Sequence, residues 1–261
     1  MVKKRLIGVV TVKDGWAVQS FGYSRYLPLG RPEILVENLD RWGADEILLQ
    51  CIDRSTASAG PDLALLDKVS RQGLSTPLIY AGGIRTAEQA VAVVKAGADR
   101  ICIDALLHDD PAAAAALAEP LGAQAVIAAL PLALTGEGPS ARLEWLDYRT
   151  RQSRPLTETV LNLLQTGIVS EALLIDWKHE GQPGAFDFAL LDRLPLQGVP
   201  RIVFGGLSDS EQWRRALTAP DTVAVAVGNF LSYREHAVRI CKQQLTDLPL
   251  RPASHEPPSS A

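Results

Sequence analysis

Residues 78–84 read LIYAGGI and residues 201–207 read RIVFGGL, so two distant parts of the chain share one pattern. Each is an apolar run of strand length that ends in a Gly-Gly turn, and a segment of helical periodicity follows it. The same order of strand and helix recurs on both sides of each stretch. Such alternation predicts an α/β protein with a parallel sheet and helices outside it.

Eight strand–helix units can be counted along the chain. The predicted strands span 5–12, 46–52, 77–80, 100–103, 125–130, 171–175, 201–204 and 223–227. The predicted helices span 32–42, 62–72, 86–96, 112–121, 157–166, 186–194, 210–217 and 234–245. Eight units predict a closed (β/α)8 TIM barrel, and an open doubly wound sheet is the alternative.

An internal repeat favours the barrel. DEILL at 45–49 matches SEALL at 170–174, DLALLD at 62–67 matches DFALLD at 187–192, and the Gly-Gly turns match each other, at offsets of 125, 125 and 123 residues. Three collinear matches predict a duplicated half-barrel. We expect one domain over residues 1–248, with halves of about 1–122 and 123–248, and a disordered tail over 249–261.

The composition excludes several classes of protein. Apolar residues make up 47% of the 261 residues and charged residues 21%, which is ordinary for a globular protein. With 26 Lys and Arg against 30 Asp and Glu, the net charge of −4 gives no basic excess for binding nucleic acid. The three cysteines are too few for a disulfide framework, and no apolar run is long enough to cross a membrane. We expect a soluble cytoplasmic protein.

Glycine turns mark the carboxyl ends of several predicted strands, where barrel enzymes carry their active sites. Glycine lets backbone N–H groups approach an anion, and a helix N-terminus adds a favourable dipole. The candidate phosphate-binding residues are therefore Gly82, Gly83, Gly205, Gly206, Gly228 and Asn229. The alternative is that these residues only make tight turns. Asp104, at the place equivalent to Gly228, would repel a phosphate in the first of the two sites.

Five short motifs carry a resemblance to a known family: residues 4–15, Gly43–Glu46, Gly82–Ile84, Gly97–Asp99 and Gly205–Gly206. Over roughly residues 3–245 the sequence resembles the HisF family, the cyclase subunit of imidazole glycerol phosphate synthase. It looks like a divergent member, similar to the paralogues associated with surface polysaccharides. The resemblance implies a half-barrel-duplicated (β/α)8 protein that receives ammonia from a glutaminase at its bottom. It also implies a bis-phosphate substrate at the top.

The sequence departs from the resembled family at the catalytic positions. The two acid–base aspartates of the family align with Thr11 and Pro131, neither of which exchanges a proton near neutral pH. The lysine of the family's first loop aligns with Gln19, and an acidic residue aligns with Cys51. We therefore do not expect the ordinary cyclase reaction.

Other titratable side chains follow the sixth predicted strand. Asp176, His179 and Glu180 are the candidate catalytic residues, and capping or solvation in a loop is the alternative for them. The sequence has no metal-ligand spacing, nucleophile elbow or dinucleotide fingerprint. We predict no metal and no cofactor.

Strand periodicity brings four charged residues to the opposite end of the barrel. Arg5, Glu46, Arg100 and Glu171 each begin or lie near the start of a predicted strand, and charges removed from water must pair. The resemblance implies that they form an ammonia gate and that Asp45 and Asp99 face the glutaminase. The alternative is that these charges serve stability alone.

The sequence is consistent with three functions. The first is a synthase subunit that docks a HisH-like glutaminase and channels ammonia for amidation or amidine formation, as the resemblance suggests for lipopolysaccharide sugars. The acceptor would be a phosphorylated small molecule or a separate ATP-dependent amidating enzyme. The second is a complete cyclase or lyase that uses other acid–base residues. The third is a non-catalytic barrel scaffold.

Overall fold

A computed structural model describes residues 3–56, 59–136, 138–233 and 235–251. The strands in this part of the chain are β1 (Arg5–Lys13), β2 (Trp16–Phe21), β3 (Arg25–Gly30), β4 (Glu46–Cys51), β5 (Leu78–Ala81), β6 (Arg100–Ile103), β7 (Val126–Thr135), β8 (Arg142–Asp147), β9 (Gln152–Pro155), β10 (Glu171–Asp176), β11 (Arg201–Phe204) and β12 (Thr222–Val227). Eight of them run parallel, each hydrogen-bonded to the next: β1, β4, β5, β6, β7, β10, β11 and β12, which returns to β1. The sheet is a closed barrel, so the predicted (β/α)8 fold is confirmed.

Helices surround the barrel. They are α1 (Pro32–Arg41), α2 (Leu63–Ser70), α3 (Ala87–Lys95), α4 (Leu106–Asp109), α5 (Pro111–Ala116), α6 (Ala118–Leu121), α7 (Glu158–Gln165), α8 (Ala189–Arg193), α9 (Ser210–Thr218) and α10 (Ala237–Gln243). Five of them begin where a side chain accepts a hydrogen bond from a backbone N–H three residues ahead; these caps are Asp62, Thr86, Asp110, Thr157 and Asp209. The predicted single helix over 112–121 is instead split into α5 and α6.

Two antiparallel ribbons at the top of the barrel were absent from the sequence prediction. β1 turns at Asp14-Gly15 into β2, which pairs with β3, and β7 continues in the same way into β8 and β9. Both turn residues have positive φ, 51° and 78°, as a two-residue hairpin turn requires. The first strand of each half-barrel is thus extended into a ribbon above the barrel mouth.

The barrel interior is apolar above its first layer of side chains. Residues alternate between the interior and the helix-facing side along each strand. The interior set is Ile7, Val9, Leu48, Ile79, Ala81, Cys102, Ile127, Ala129, Leu173, Ile175, Ile202, Phe204, Ala224 and Ala226, all buried. Eight of these residues leave a small gap on the barrel axis, so the centre is narrow but not completely filled.

The two chain ends meet beside the start of β1. The backbone N–H of Lys4 donates to the carbonyl of Pro249 at 2.9 Å, and Leu250 forms an isolated bridge with Lys4. Most of the expected tail, residues 252–261, lies outside the described residues. Within the described part, none of the helices is both long and apolar enough to cross a membrane.

A single methyl group added at Gly205 should destabilise the fold strongly. Gly205 has a φ of 106°, and a Cβ there would lie 2.5 Å from the carbonyl oxygen of Asp176. We expect Gly205→Ala to lower the free energy of unfolding by about 3 kcal/mol, because strain and overlap add. The matched control is Gly15→Ala, where φ is also positive but no atom lies within 4 Å; it should cost about 1 kcal/mol. Equal losses in denaturant titrations would show that the close approach has no effect.

Candidate functional site

Four charged side chains form a closed ring at the bottom of the barrel. Arg5 donates to Glu46 at 2.8 Å and also pairs with Glu171. Arg100 pairs with the same two carboxylates, at 3.3 Å to Glu46 and 2.9 Å to Glu171. The side chains are 8–13% exposed, so the ring lies almost out of water. The structure thus brings the four predicted gate residues together, with no net charge.

Arg100 is the most firmly held member of the charged ring. Besides the two glutamates, it donates to the hydroxyl of Ser170 at 2.6 Å and to the carbonyl of Gln124 at 3.3 Å. A guanidinium with five fixed donors can hold all four partners at once, whereas an ammonium has only three donors. Arg5 has the two glutamates as its partners in the ring, so opening the ring would move Arg5 more easily than Arg100.

The two aspartates predicted to face a glutaminase lie in different environments. Asp45 is buried; it accepts from the N–H of Leu6 at 2.7 Å and pairs with Lys242 at 2.8 Å. Both of its oxygens are therefore used inside the chain, to join β1 and α10 at the start of β4. Asp99 is exposed and accepts from the N–H of Leu78 at 2.7 Å. A partner-facing role stays a prediction for both.

At the top, two tyrosines close the barrel mouth. Tyr23 comes from the turn between β2 and β3, and Tyr148 follows β8; their ring centroids lie 4.8 Å apart. Tyr23 is 1% exposed and its hydroxyl bonds to Gln50 at 3.2 Å. The hydroxyl of Tyr148 is buried as well. Each ribbon thus places one aromatic ring over the interior.

Sequence reasoning missed this tyrosine pair, although a signal was present. The two residues are 125 apart, which is the offset of two of the three internal repeats. Below them, Thr11 and Pro131 are buried at the positions where the resembled family has its catalytic aspartates. Tyrosines and these two side chains supply no group that titrates near neutral pH.

The first ribbon is fastened across the barrel to the loops after β10 and β12. The carboxylate of Glu180 accepts from the hydroxyl of Ser20 at 2.9 Å and from the N–H of Tyr23 at 3.3 Å. The side-chain amide of Asn229 pairs with both the N–H and the carbonyl of Ser20, at 3.2 and 2.7 Å. A Cβ on Gly181 would lie 2.1 Å from the Ser20 carbonyl, so only glycine allows this approach. We refer to Glu180 and Asn229 as the strap.

Glu180 titrates in an unusual range. Its side chain is 2% exposed, and this burial raises its pKa to about 7 against the opposing effect of the hydrogen bonds from Ser20 and Tyr23. This value allows the Glu180 carboxyl to exchange a proton at neutral pH. Its contacts are with the ribbon, which assigns it a structural role as well.

Asp176 and His179 form a pair away from the barrel axis. The Nδ1 atom of His179 lies 2.7 Å from Asp176 Oδ2, which also accepts from the N–H of Asp187 at 2.8 Å. Burial raises the pKa of Asp176. Asp176 shares the helix-facing side of β10 with Leu174, so the pair points outward rather than into the mouth.

The same close packing contact requires glycine at the turn in both halves of the barrel. A Cβ at Gly82 would lie 2.4 Å from the Cys51 carbonyl, and one at Gly205 would lie 2.5 Å from the Asp176 carbonyl. Each turn therefore packs directly on the end of the preceding barrel strand. This contact explains the glycines without a ligand, and phosphate binding stays a prediction.

The two predicted phosphate sites differ in what surrounds them. Gly205, Gly206, Gly228 and Asn229 line one pocket together with Glu180, and the Asn229 amide is already engaged by Ser20. Gly82 lines a second pocket with Asp104, whose pKa is raised by burial, while Gly83 packs against the Gly60 carbonyl. Both pockets thus contain a carboxyl group, which an anion would meet.

The closed eight-stranded barrel, its Gly-Gly turns and its charged lower mouth define a TIM-barrel protein whose bottom is closed by ion pairs. The family model described as "Histidine biosynthesis protein" matches residues 5–237. The chain therefore belongs to this family.

Relatives within the family are HisF subunits, at low identity. Imidazole glycerol phosphate synthase subunit HisF of Natranaerobius thermophilus is 24% identical over 249 residues, 95% of this chain and 97% of the relative. The HisF subunit of Hyphomonas neptunium is 28% identical over 240 residues, 90% and 92% of the two chains. A Vibrio vulnificus relative, assigned only provisionally as a second HisF-type subunit of imidazole glycerol phosphate synthase, is 26% identical over 254 residues. The match covers 96% of this chain and 91% of the relative. The chain is a divergent member of the HisF group.

Glu180 should make stability depend on pH. The pKa of Glu180 is about 7 in the fold, against 4.5 for a free side chain. Its contribution to the free energy of unfolding is therefore complete below pH 4.5 and is lost as pH rises to about 7. We expect Glu180→Gln to abolish this change in the free energy of unfolding, which amounts to up to about 3 kcal/mol. The glutamine keeps an acceptor for Ser20. The measurement is denaturant unfolding from pH 4.5 to 8. Glu119→Gln, at an exposed site on α6, is the control; identical pH profiles for both variants would contradict the prediction.

Proposed function

We propose that this chain is the barrel subunit of a glutamine-dependent synthase, which binds a HisH-like glutaminase at its bottom and admits ammonia through the charged ring. The closed ring of four ion pairs below an apolar interior is the observation that carries the proposal. HisF relatives are named as subunits of imidazole glycerol phosphate synthase, which supports a partner of this kind.

The ring has a property that a hydrophobic plug lacks. Each carboxylate contacts both arginines, and each arginine contacts both carboxylates. When one ion pair breaks, each of its two charges still has a partner, so neither is left buried alone. Opening therefore avoids most of the several kcal/mol that an unpaired buried charge costs. Well-packed apolar side chains would close the barrel equally well without this ability.

The interior favours neutral ammonia over ammonium. Above the ring the gap is lined by aliphatic side chains and Cys102, with no charged group to replace water around an ion. Moving an ammonium ion there would cost many kcal/mol, whereas ammonia loses only its hydrogen bonds. Ammonia supplied from below would therefore travel as the neutral molecule.

The same structure argues against the ordinary cyclase reaction on this chain. Neither Thr11 nor Pro131 has a group that titrates near neutral pH, and the Tyr23–Tyr148 pair covers the mouth above them. The acceptor of the ammonia would be a phosphorylated small molecule at the Gly205–Gly206 pocket or a separate ATP-dependent amidating enzyme. Amidation or amidine formation in lipopolysaccharide sugar synthesis is one such setting.

A second candidate function is a complete synthase that uses non-standard acid–base residues. The 2.7 Å contact between Asp176 and His179 favours it, because a carboxylate orients the imidazole and fixes its tautomer. Its outward position separates the imidazole from the barrel axis, so we rank this function second. Formation of imidazole glycerol phosphate by this chain at a normal rate would support the second candidate and overturn the first.

Adding this chain to a glutaminase encoded beside it should raise glutamate release several-fold. We expect Glu46→Gln to keep the size of the side chain but to weaken the ring, and so to reduce this stimulation. Arg142→Gln, an exposed site on β8 at the top, is the control and should behave as wild type. Thermal melting confirms that both variants are folded. Absence of a complex in size-exclusion chromatography, or equal stimulation by Glu46→Gln, would contradict the proposal.

A further inference from the structure

The two top ribbons enclose a cavity that neither Gly-Gly turn shares. Its volume is about 440 Å³, which is within the range of small-molecule sites. Lys13 and Tyr26 contribute from the first ribbon, Tyr148, Arg149 and Arg151 from the second, and Asp53 from the loop after β4. We call it the inter-ribbon pocket. The Tyr23–Tyr148 pair separates it from the barrel interior.

One wall of the inter-ribbon pocket is held rigidly by ion pairs. Arg149 contacts Asp109 at 2.5 Å and Asp147 at 3.1 Å, and Asp109 also pairs with Arg85 at 2.5 Å. The N–H of Arg151 donates to the carbonyl of Asp147 at 2.8 Å, which fixes the turn. Such preorganisation reduces the entropy that a ligand would have to offset on binding.

Two charged side chains of the inter-ribbon pocket make no ion pair with any of the described residues. Lys13 is paired with Asp14 at 2.5 Å, while Arg149 shares Asp109 with Arg85 and shares Asp147 with Arg154. The guanidinium of Arg151 makes no ion pair within the described residues. The carboxylate of Asp53 makes none there either, and it accepts only the N–H of Asp14 at 2.8 Å. Arg151 and Asp53 therefore line the same cavity, and neither makes an ion pair with another residue that the structure describes.

The aromatic side chains complete the chemistry of the inter-ribbon pocket. Tyr26 is half-buried and lines the cavity, its hydroxyl donates to the carbonyl of Tyr23 at 2.5 Å, and Lys13 Nζ lies 5.7 Å from its ring centroid. Arg151 acts on Tyr26 electrostatically, so it lies near this phenol. Aromatic faces beside unpaired charges suit a flat molecule that carries charges of its own.

We propose that the inter-ribbon pocket binds a small zwitterionic molecule with a planar or ring-shaped body, whose anionic group is held by Arg151 and whose cationic group is held by Asp53. The aromatic rings of Tyr26 and Tyr148 contact its body. The site is distinct from both predicted phosphate sites and does not depend on the proposed glutaminase.

Three simple probes test the proposal by calorimetry on the full chain: 4-(aminomethyl)benzoate, benzoate and benzylamine. Arg151→Gln should weaken the zwitterion and benzoate about tenfold and leave benzylamine unchanged, because it removes one charge-assisted contact. Asp53→Asn still accepts the Asp14 N–H, and it should weaken the zwitterion and benzylamine but not benzoate. Arg142→Gln is the matched control and should bind all three probes as wild type does.

The outcomes that overturn the proposal are equally specific. If wild-type protein binds none of the probes at millimolar concentration, the site does not have the stated chemistry. If Arg151→Gln and Arg142→Gln bind the zwitterion equally, the anionic group lies elsewhere. If the zwitterion binds no better than benzoate, Asp53 does not hold a cationic group. Thermal melting of each variant shows whether a loss of binding is a loss of folding. We expect Arg151→Gln to remain folded because Arg151 lies on an exposed turn.

Discussion

A charge removed from water must have a partner, and this constraint accounts for both ends of the barrel. At the bottom it forces Arg5, Glu46, Arg100 and Glu171 into one ring, because none of them reaches solvent freely. Beside the ring, the buried ammonium group of Lys242 pairs with the carboxylate of Asp45. At the top, Asp147 has no exposed side-chain surface and is surrounded by Arg149 and Arg154, which shape the second ribbon. In the inter-ribbon pocket the constraint is weaker, because Arg151 is exposed and its charge stays in contact with water.

The half-barrel repeat explains which features are shared and which are not. Both halves pack a Gly-Gly turn on the end of the preceding strand, and both extend their first strand into a ribbon that carries a tyrosine. The two strand ends under the glycines differ, with Cys51 in one half and Asp176 in the other. Backbone contacts that build the barrel are thus repeated, while the side chains that could perform chemistry have diverged.

Much of the fold could be predicted from the sequence because strand periodicity and helix caps are local. The parity of β1 alone places Arg5, Ile7 and Thr11 on one side, and the same rule applied to the other strands gathers the ring. The sequence analysis predicts no element between residues 12 and 32, although Asp14-Gly15 between alternating apolar residues indicates a hairpin. The inter-ribbon pocket needs contacts between residues more than a hundred positions apart, which no local pattern supplies.

The strap connects the upper end of the barrel to the glycine pocket. Glu180 and Asn229 hold Ser20 of the first ribbon, and the same two side chains line the pocket of Gly205 and Gly206. The Asn229 amide gives one N–H to the Ser20 carbonyl, so its second N–H can serve a group in the pocket while Ser20 stays bound. Loss of either side chain would instead free Ser20 on one side and loosen the ribbon that carries Tyr23 over the barrel interior. The lining of the glycine pocket and the position of the first ribbon thus depend on one set of hydrogen bonds.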